Sequence, residues 1–187
     1  IPHKKPMWSV KLGAWDGRFG SNTCNLTDNH GWHGVYIESD KSRFKDLLKN
    51  HGRNKKVVCI NRFVDFQGKN RLDKILQKIK NLPKDFDLLS LDIDGLDLYL
   101  WDSVENYHPK VVVIEFNPTI PVDYEYLQSK NYGEHDGCSL LSLTKLGKKK
   151  GYKLICCSDV NAIFVKRRYF NLFKVKDNSP EEMFKPF

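Results

Sequence analysis

Short apolar runs alternate with segments of helical period along most of this chain, and that rhythm restricts it to an α/β fold. Residues 8–14, 34–38, 56–60, 86–93 and 110–116 read as strands. Between them lie helical stretches at 21–30, opened by Ser21 as a cap, and at 41–50, with Phe44, Leu47 and Leu48 on one face and Gly52 as a stop. Leu72, Ile75, Leu76 and Ile79 mark a third helix and residues 97–106 a fourth. Strands separated by single helices imply parallel pairing through right-handed crossovers. After a helix at 140–150, the strands at 152–157 and 161–167 are too close for another helix, so they form an antiparallel hairpin. One domain spanning 1–187 is expected, with residues 171–187 as an irregular tail.

The rhythm breaks once. Residues 117–138 hold Pro118, Pro121, Gly133 and Gly137 among Tyr124, Tyr126 and Tyr132. A loop of that length in a compact domain is usually a functional lid or disordered, and here a substrate lid is expected.

The strand at 86–93 carries the most telling motif, LSLDIDGLD at 89–97. Its apolar run ends in Asp92, Asp94 and Asp97 around Gly95. Carboxylates are poor strand formers and costly to bury, and open α/β sheets bind ligands at the carboxyl ends of their strands. Asp92 and Asp94, at i and i+2, share a strand face, and Glu115 ends the next strand. Three carboxylates thus converge. Like charges at close range raise one pKa or demand a cation. Two chemistries follow: Asp94 or Glu115 as a general base, or Asp92, Asp94 and Glu115 as ligands for Mg²⁺ or Ca²⁺. His135, between Glu134 and Asp136 in the long loop, is a base only if that loop closes over the site; a solvated histidine is the commoner outcome.

The first strand runs into LGAWDGRFGSN, where Gly13, Gly17 and Gly20 let the backbone approach a ligand. Glu38 follows at the end of the second strand, placed to accept two hydrogen bonds from a ribose diol. A glycine turn followed by such an acid points to a nucleoside-bearing cofactor.

With these motifs in order, the chain resembles the FkbM-type methyltransferases over nearly its full length. LGAWDG resembles the family's glycine turn and YIESDKSRFKDLL its strand-two acid and helix; FDLLSLDIDGLD, KVVVIEFNP and LSLTKLGKKKGYKLI resemble its strand four, strand five and last helix–strand pair. The resemblance implies a Rossmann-like class I fold with sheet order 3-2-1-4-5-7-6 and S-adenosylmethionine as cofactor. It implies a cofactor site at Gly13, Ala14, Asp16, Gly17, Glu38, Ser39, Asn61 and Asp92, with Arg62 and Asp65 as further candidates beside the adenine. Two positions depart from the family pattern: Lys11 stands where an acid usually helps hold the methionine amino group, and Ser90 where a lysine is common. Either Asp16 or Asp92 takes over from the missing acid, or cofactor binding is weakened.

Net charge is +8, but the cations are spread along the chain; the densest groups are Lys148–Lys150 and Lys166–Arg168. A solvated surface accounts for most of this charge, which leaves RNA as a second class of partner. The five cysteines include an adjacent pair and no CxxC, which fits a reducing, cytoplasmic setting. Asn25-Leu26-Thr27 is read as a chance sequon. No apolar run is long enough to span a membrane, and the N-terminus lacks a signal-peptide core. The chain does not begin with Met, so an upstream segment is left open. The function expected is O-methylation of a hydroxyl on a sugar, glycan or natural product. The alternatives are a cap-ribose RNA methyltransferase and a binding module that has kept the fold without activity.

Overall fold

The computed structural model describes residues 1–2 and 6–185. Its strands are β1 (Trp8–Leu12), β2 (His33–Glu38), β3 (Val57–Asn61), β4 (Leu88–Leu91), β5 (Val111–Glu115), β6 (Tyr152–Cys157) and β7 (Asn161–Lys166). They form one sheet in the order β3-β2-β1-β4-β5-β7-β6, as expected. The first five strands pair in parallel, while β7 runs antiparallel between β5 and β6. The helices are α1 (Cys24–Asp28), α2 (Lys41–His51), α3 (Leu72–Leu76), α4 (Asp97–Ser103), α5 (Leu140–Lys149) and α6 (Pro180–Met183). None is long and apolar enough to cross a membrane among the described residues.

The central strands β1 and β4 are buried along their whole length, as parallel strands covered on both faces must be. Both end sooner than their apolar runs. Gly13 leaves β1 at φ +64°, and Asp94 turns at φ +60° just beyond β4. Those two turns lie side by side because β1 and β4 are neighbours. The crossovers to β2 and β5 leave in opposite directions from this point, and the crevice it opens is where doubly wound sheets bind ligands.

Local chemistry starts two of the helices, at Ser21 as the sequence leads one to expect and at Asp40 beyond that expectation. Asp40 caps α2 by accepting the Ser42 and Arg43 N–H groups, both at 2.8 Å, and Ser21 Oγ accepts the Cys24 N–H at the start of α1. The buried face of α2 is set by Leu47 and His51; Leu48 is exposed. The expected irregular tail is partly ordered. A 3₁₀ segment covers Arg167–Phe173, α6 follows, and buried Phe184 packs edge-on against Phe116 with ring centroids 5.0 Å apart. This aromatic anchor draws the tail back onto the sheet; its last two positions lie outside the described residues.

Candidate active site

Gly13 is the hinge of the first turn. A Cβ built there would lie 1.6 Å from the Asp92 carbonyl oxygen, so the ends of β1 and β4 touch backbone to backbone. The turn continues through Trp15, whose N–H donates to Glu38 Oε2 at 2.8 Å. Glu38 Oε1 accepts the Asp40 N–H, also at 2.8 Å. Glu38 therefore ties the β1 turn to the start of α2, and each of its oxygens keeps a lone pair for a ligand.

The acidic end of β4 is organised by Asp97, the first residue of α4 and only 2% exposed. Its carboxylate accepts the N–H groups of Ile93 at 3.1 Å and Gly95 at 3.2 Å, which pins the DIDG turn. Burial pushes its pKa up to about 7. The sequence marked Asp97 as a residue that merely begins the next helix; its second role, holding the turn, depends on a backbone path that only the fold reveals. Burial, with Asp97, Asp92 and Asp94 nearby, pushes the Glu115 carboxyl up to about 8, so at neutral pH it holds a proton. Oxygens of Asp92, Asp94 and Glu115 lie within 4.8 Å of one another, the convergence expected from their spacing.

Lys11, 1% exposed, is part of this cluster. Its Nζ lies 3.8 Å from Asp92 Oδ2, and burial lowers its pKa against the pull of Asp92. Lys11 is in register with Ser90 across the β1–β4 ladder. Lys11 thus sets its cation from the neighbouring strand against the acidic end of β4, where it offsets part of the carboxylate charge.

The long loop lies over this end of the sheet. Buried Gln128 fastens it: its Oε1 accepts the Gly137 N–H, its Nε2 donates to the Glu134 carbonyl, and its own carbonyl accepts the Tyr99 hydroxyl. Gly95 makes room, since a Cβ there would meet Gln128 Oε1 at 2.8 Å. The loop brings His135 to Asp94, with Nδ1 2.8 Å from the Asp94 carbonyl oxygen. A carbonyl only accepts, so Nδ1 carries the hydrogen and Nε2 of the neutral ring is left with a free lone pair. The acidic neighbours of His135 were the only sequence signal for it.

Two cavities result. The larger, about 330 Å³, is lined by Gly13, Glu38, Ser39 and Asp92 together with Lys11 and Arg62. Its walls are aromatic: Trp15 and Phe19 on one side, and Phe63, Phe66 and Tyr132 on the other. Tyr132 stacks on Phe66 at 6.1 Å and donates its hydroxyl to Asp65 at 2.7 Å. The second cavity, about 220 Å³, is lined by Asp97, Glu115, Asn117 and Asp136. Asp94 and His135 line both.

Several candidates stand elsewhere. Ala14 is fully buried, and Asp16 folds back onto the Arg18 and Phe19 N–H groups. The Asn61 side chain donates to the Glu38 and Ser39 carbonyls. Gly17 backs onto α2, where a Cβ would sit 2.5 Å from His51 Cδ2. None of these four lines the larger cavity. Tyr124 points to solvent and Tyr126 bonds to Asp136, which leaves Tyr132 as the loop tyrosine at the cavity.

Solved structures share this architecture. The carbon methyltransferase CurJ matches with a TM-score of 0.59 at 10% identity, over 88% of this chain and 49% of that one. The CMeT domain of the citrinin polyketide synthase gives 0.56 at 10% identity, over 86% and 46%. A fibrillarin pre-rRNA processing protein from Methanococcus jannaschii gives 0.56 at 14% identity, over 89% and 69%. The chain spans about half the length of the first two. No protein-family model and no curated protein sequence matches it. At these identities the likeness is one of fold, and the fold is that of the Rossmann-like class I methyltransferases.

Proposed function

We propose that this chain is an S-adenosylmethionine-dependent methyltransferase of FkbM type that methylates a hydroxyl on a sugar, glycan or natural product, with residues 117–138 as the lid over its acceptor. The observation that carries this reading is the meeting of two cavities at Asp94 and His135. The larger one suits the donor: Glu38 for a ribose diol, aromatic walls for a base, and the carboxylates of Asp92 and Asp94 toward a cationic end. When bound, the donor supplies an electrophilic methyl group on a sulfonium. The chain's own part is alignment, exclusion of water and removal of one proton. His135 Nε2, oriented through Nδ1 by the Asp94 carbonyl, takes the hydroxyl proton. Glu115, protonated at neutral pH, shares its proton with Asp92 and keeps oxygen lone pairs that accept a hydrogen bond from the acceptor.

The second cavity bears on the acceptor. It carries Asp94, Asp97, Glu115 and Asp136, and no lysine or arginine lines it among the described residues. Such a surface favours a polyol and repels a phosphate backbone, which weighs against RNA despite the net charge.

Calorimetric titration with S-adenosylmethionine is expected to show one-site binding that added Mg²⁺ or Ca²⁺ leaves unchanged, because Lys11 and the proton on Glu115 already offset the charge those ions would meet on Asp92, Asp94 and Glu115. Absence of binding by folded protein, with and without divalent ions, removes the enzyme reading and leaves the binding module. Once an acceptor is found, H135A is expected to lower kcat by roughly 10²–10⁴-fold. E115Q keeps most activity at neutral pH. If Glu115 were the base, the rate would instead climb through about pH 8 and E115Q would abolish it.

A further inference from the structure

Against the glycine turn, and lining neither cavity, Cys24, Asp28 and His51 bring one ligating atom each within 4.8 Å of the others. Cys24 and Asp28 stand one turn apart on α1, and His51 is the last residue of α2. Cys24 Sγ is 3.4 Å from Asp28 Oδ2, and His51 Nδ1 is 3.6 Å from Asp28 Oδ1. Ligands bound to zinc at about 2.0–2.3 Å in a tetrahedron stand roughly 3–4 Å apart; Cys24 and His51 reach that range against opposite oxygens of Asp28, with one ligand atom from each of the three residues within 4.8 Å of the others.

His51 makes the cluster more than a chance grouping. It is 1% exposed, and no side chain comes within hydrogen-bond distance of either ring nitrogen; the Asp28 carboxylate at 3.6 Å and the Gly17 backbone are the polar groups beside it. A buried imidazole so poorly satisfied is costly, and its Nδ1 faces the Asp28 carboxylate. Gly17 lets the turn close over this ring, because a Cβ there would collide with it.

We propose that Cys24, Asp28 and His51 form a binding site for a borderline-soft divalent cation, zinc above all, with a fourth position open to water beside Asp28. Sulfur, nitrogen and a single carboxylate select zinc over Mg²⁺ or Ca²⁺, which take oxygen ligands. Binding expels one proton, from the Cys24 thiol, and the charges of thiolate, carboxylate and dication then sum to zero. Arg18 Nη2, 3.6 Å from Asp28 Oδ2, is the countercharge the cation replaces; its side chain is 58% exposed and free to swing away. The cation ties α1 to the end of α2, and Asn50 next to His51 already holds the Asp16 carbonyl at 2.9 Å. The site is therefore structural: it stiffens the turn and takes no part in methyl transfer.

The test is a Co²⁺ titration of the full chain after chelator treatment. One equivalent is expected to give tetrahedral d–d bands and a near-ultraviolet thiolate-to-cobalt band, which Zn²⁺ then displaces. C24S is expected to lose the thiolate band, and C24S and D28N to bind Zn²⁺ at least about tenfold more weakly. R18Q is expected to bind more tightly. Cys24 and Asp28 are partly accessible, so both variants keep the fold, which circular dichroism checks. No thiolate band in the wild-type chain, or a band that persists in C24S, overturns the proposal; the oxygen set at Asp92, Asp94 and Glu115 produces no such band.

Discussion

Gly13→Ala is expected to cost at least about 3 kcal/mol in urea denaturation and to weaken S-adenosylmethionine binding by more than about 100-fold. Two effects add. The residue sits at φ +64°, a conformation that alone costs a side chain about 1–2 kcal/mol. The larger effect is steric: the new Cβ would lie 1.6 Å from the Asp92 carbonyl oxygen, a contact no rotamer change relieves because both partners are backbone. The ends of β1 and β4 must part, and with them the turn that carries Trp15 and the strand end that carries Asp92 and Asp94. Gly151→Ala is the control. Its φ is +80°, no atom lies within 4 Å of the added Cβ and it lines neither cavity, so it should lose only the conformational cost of about 1–2 kcal/mol and keep donor binding. Equal costs for the two variants would mean that the β1–β4 contact does not position the site.

That contact also explains which parts of the site were legible beforehand. Alternation of apolar runs and helical segments is a local signal, so strand number, parallel pairing and the closing hairpin could be read from it. The ends of β1, β2, β4 and β5 follow from that order, and Glu38, Asp92, Asp94 and Glu115 fell into place with them. Side chains whose roles arise from one element closing on another were harder. Gly17 resembles a ligand-cradling glycine, but what approaches its backbone is the His51 ring. His135 is forty-one positions from Asp94 and reaches it only because Gln128 folds the loop down. Trp15 and Phe19 stand inside LGAWDGRFGSN, a motif marked by its glycines, and Phe63 follows β3 outside any motif; all three stand out as large apolar side chains left exposed around a cavity.

Asp92→Asn is expected to destabilise the protein by about 3 kcal/mol at neutral pH, and Lys11→Met to recover most of that loss in the double variant. In D92N the buried Lys11 ammonium loses the countercharge 3.8 Å away, and the other carboxylates that act on it, Glu38 and Asp97, act more weakly. An unpaired buried charge commonly costs about 3–5 kcal/mol, and water that reaches the partly exposed Asp92 side places this pair at the low end. K11M alone should cost about 1 kcal/mol, because the carboxylate it strands is within reach of solvent. The pH dependence has a definite sign. The folded-state pKa of Lys11 lies below its ordinary 10.5, so between the two values the unfolded chain binds more protons and stability rises with pH. D92N lowers the folded value further, so the D92N deficit is largest near neutral pH and shrinks as Lys11 sheds its proton. Donor binding should move oppositely in the two single variants. K11M removes a cation from a cavity proposed to hold a sulfonium and an ammonium, and binds more tightly; D92N removes the carboxylate and binds more weakly. Denaturation and calorimetry on the four proteins of this cycle test both halves, and single costs that simply add would show that Lys11 and Asp92 do not act as a pair.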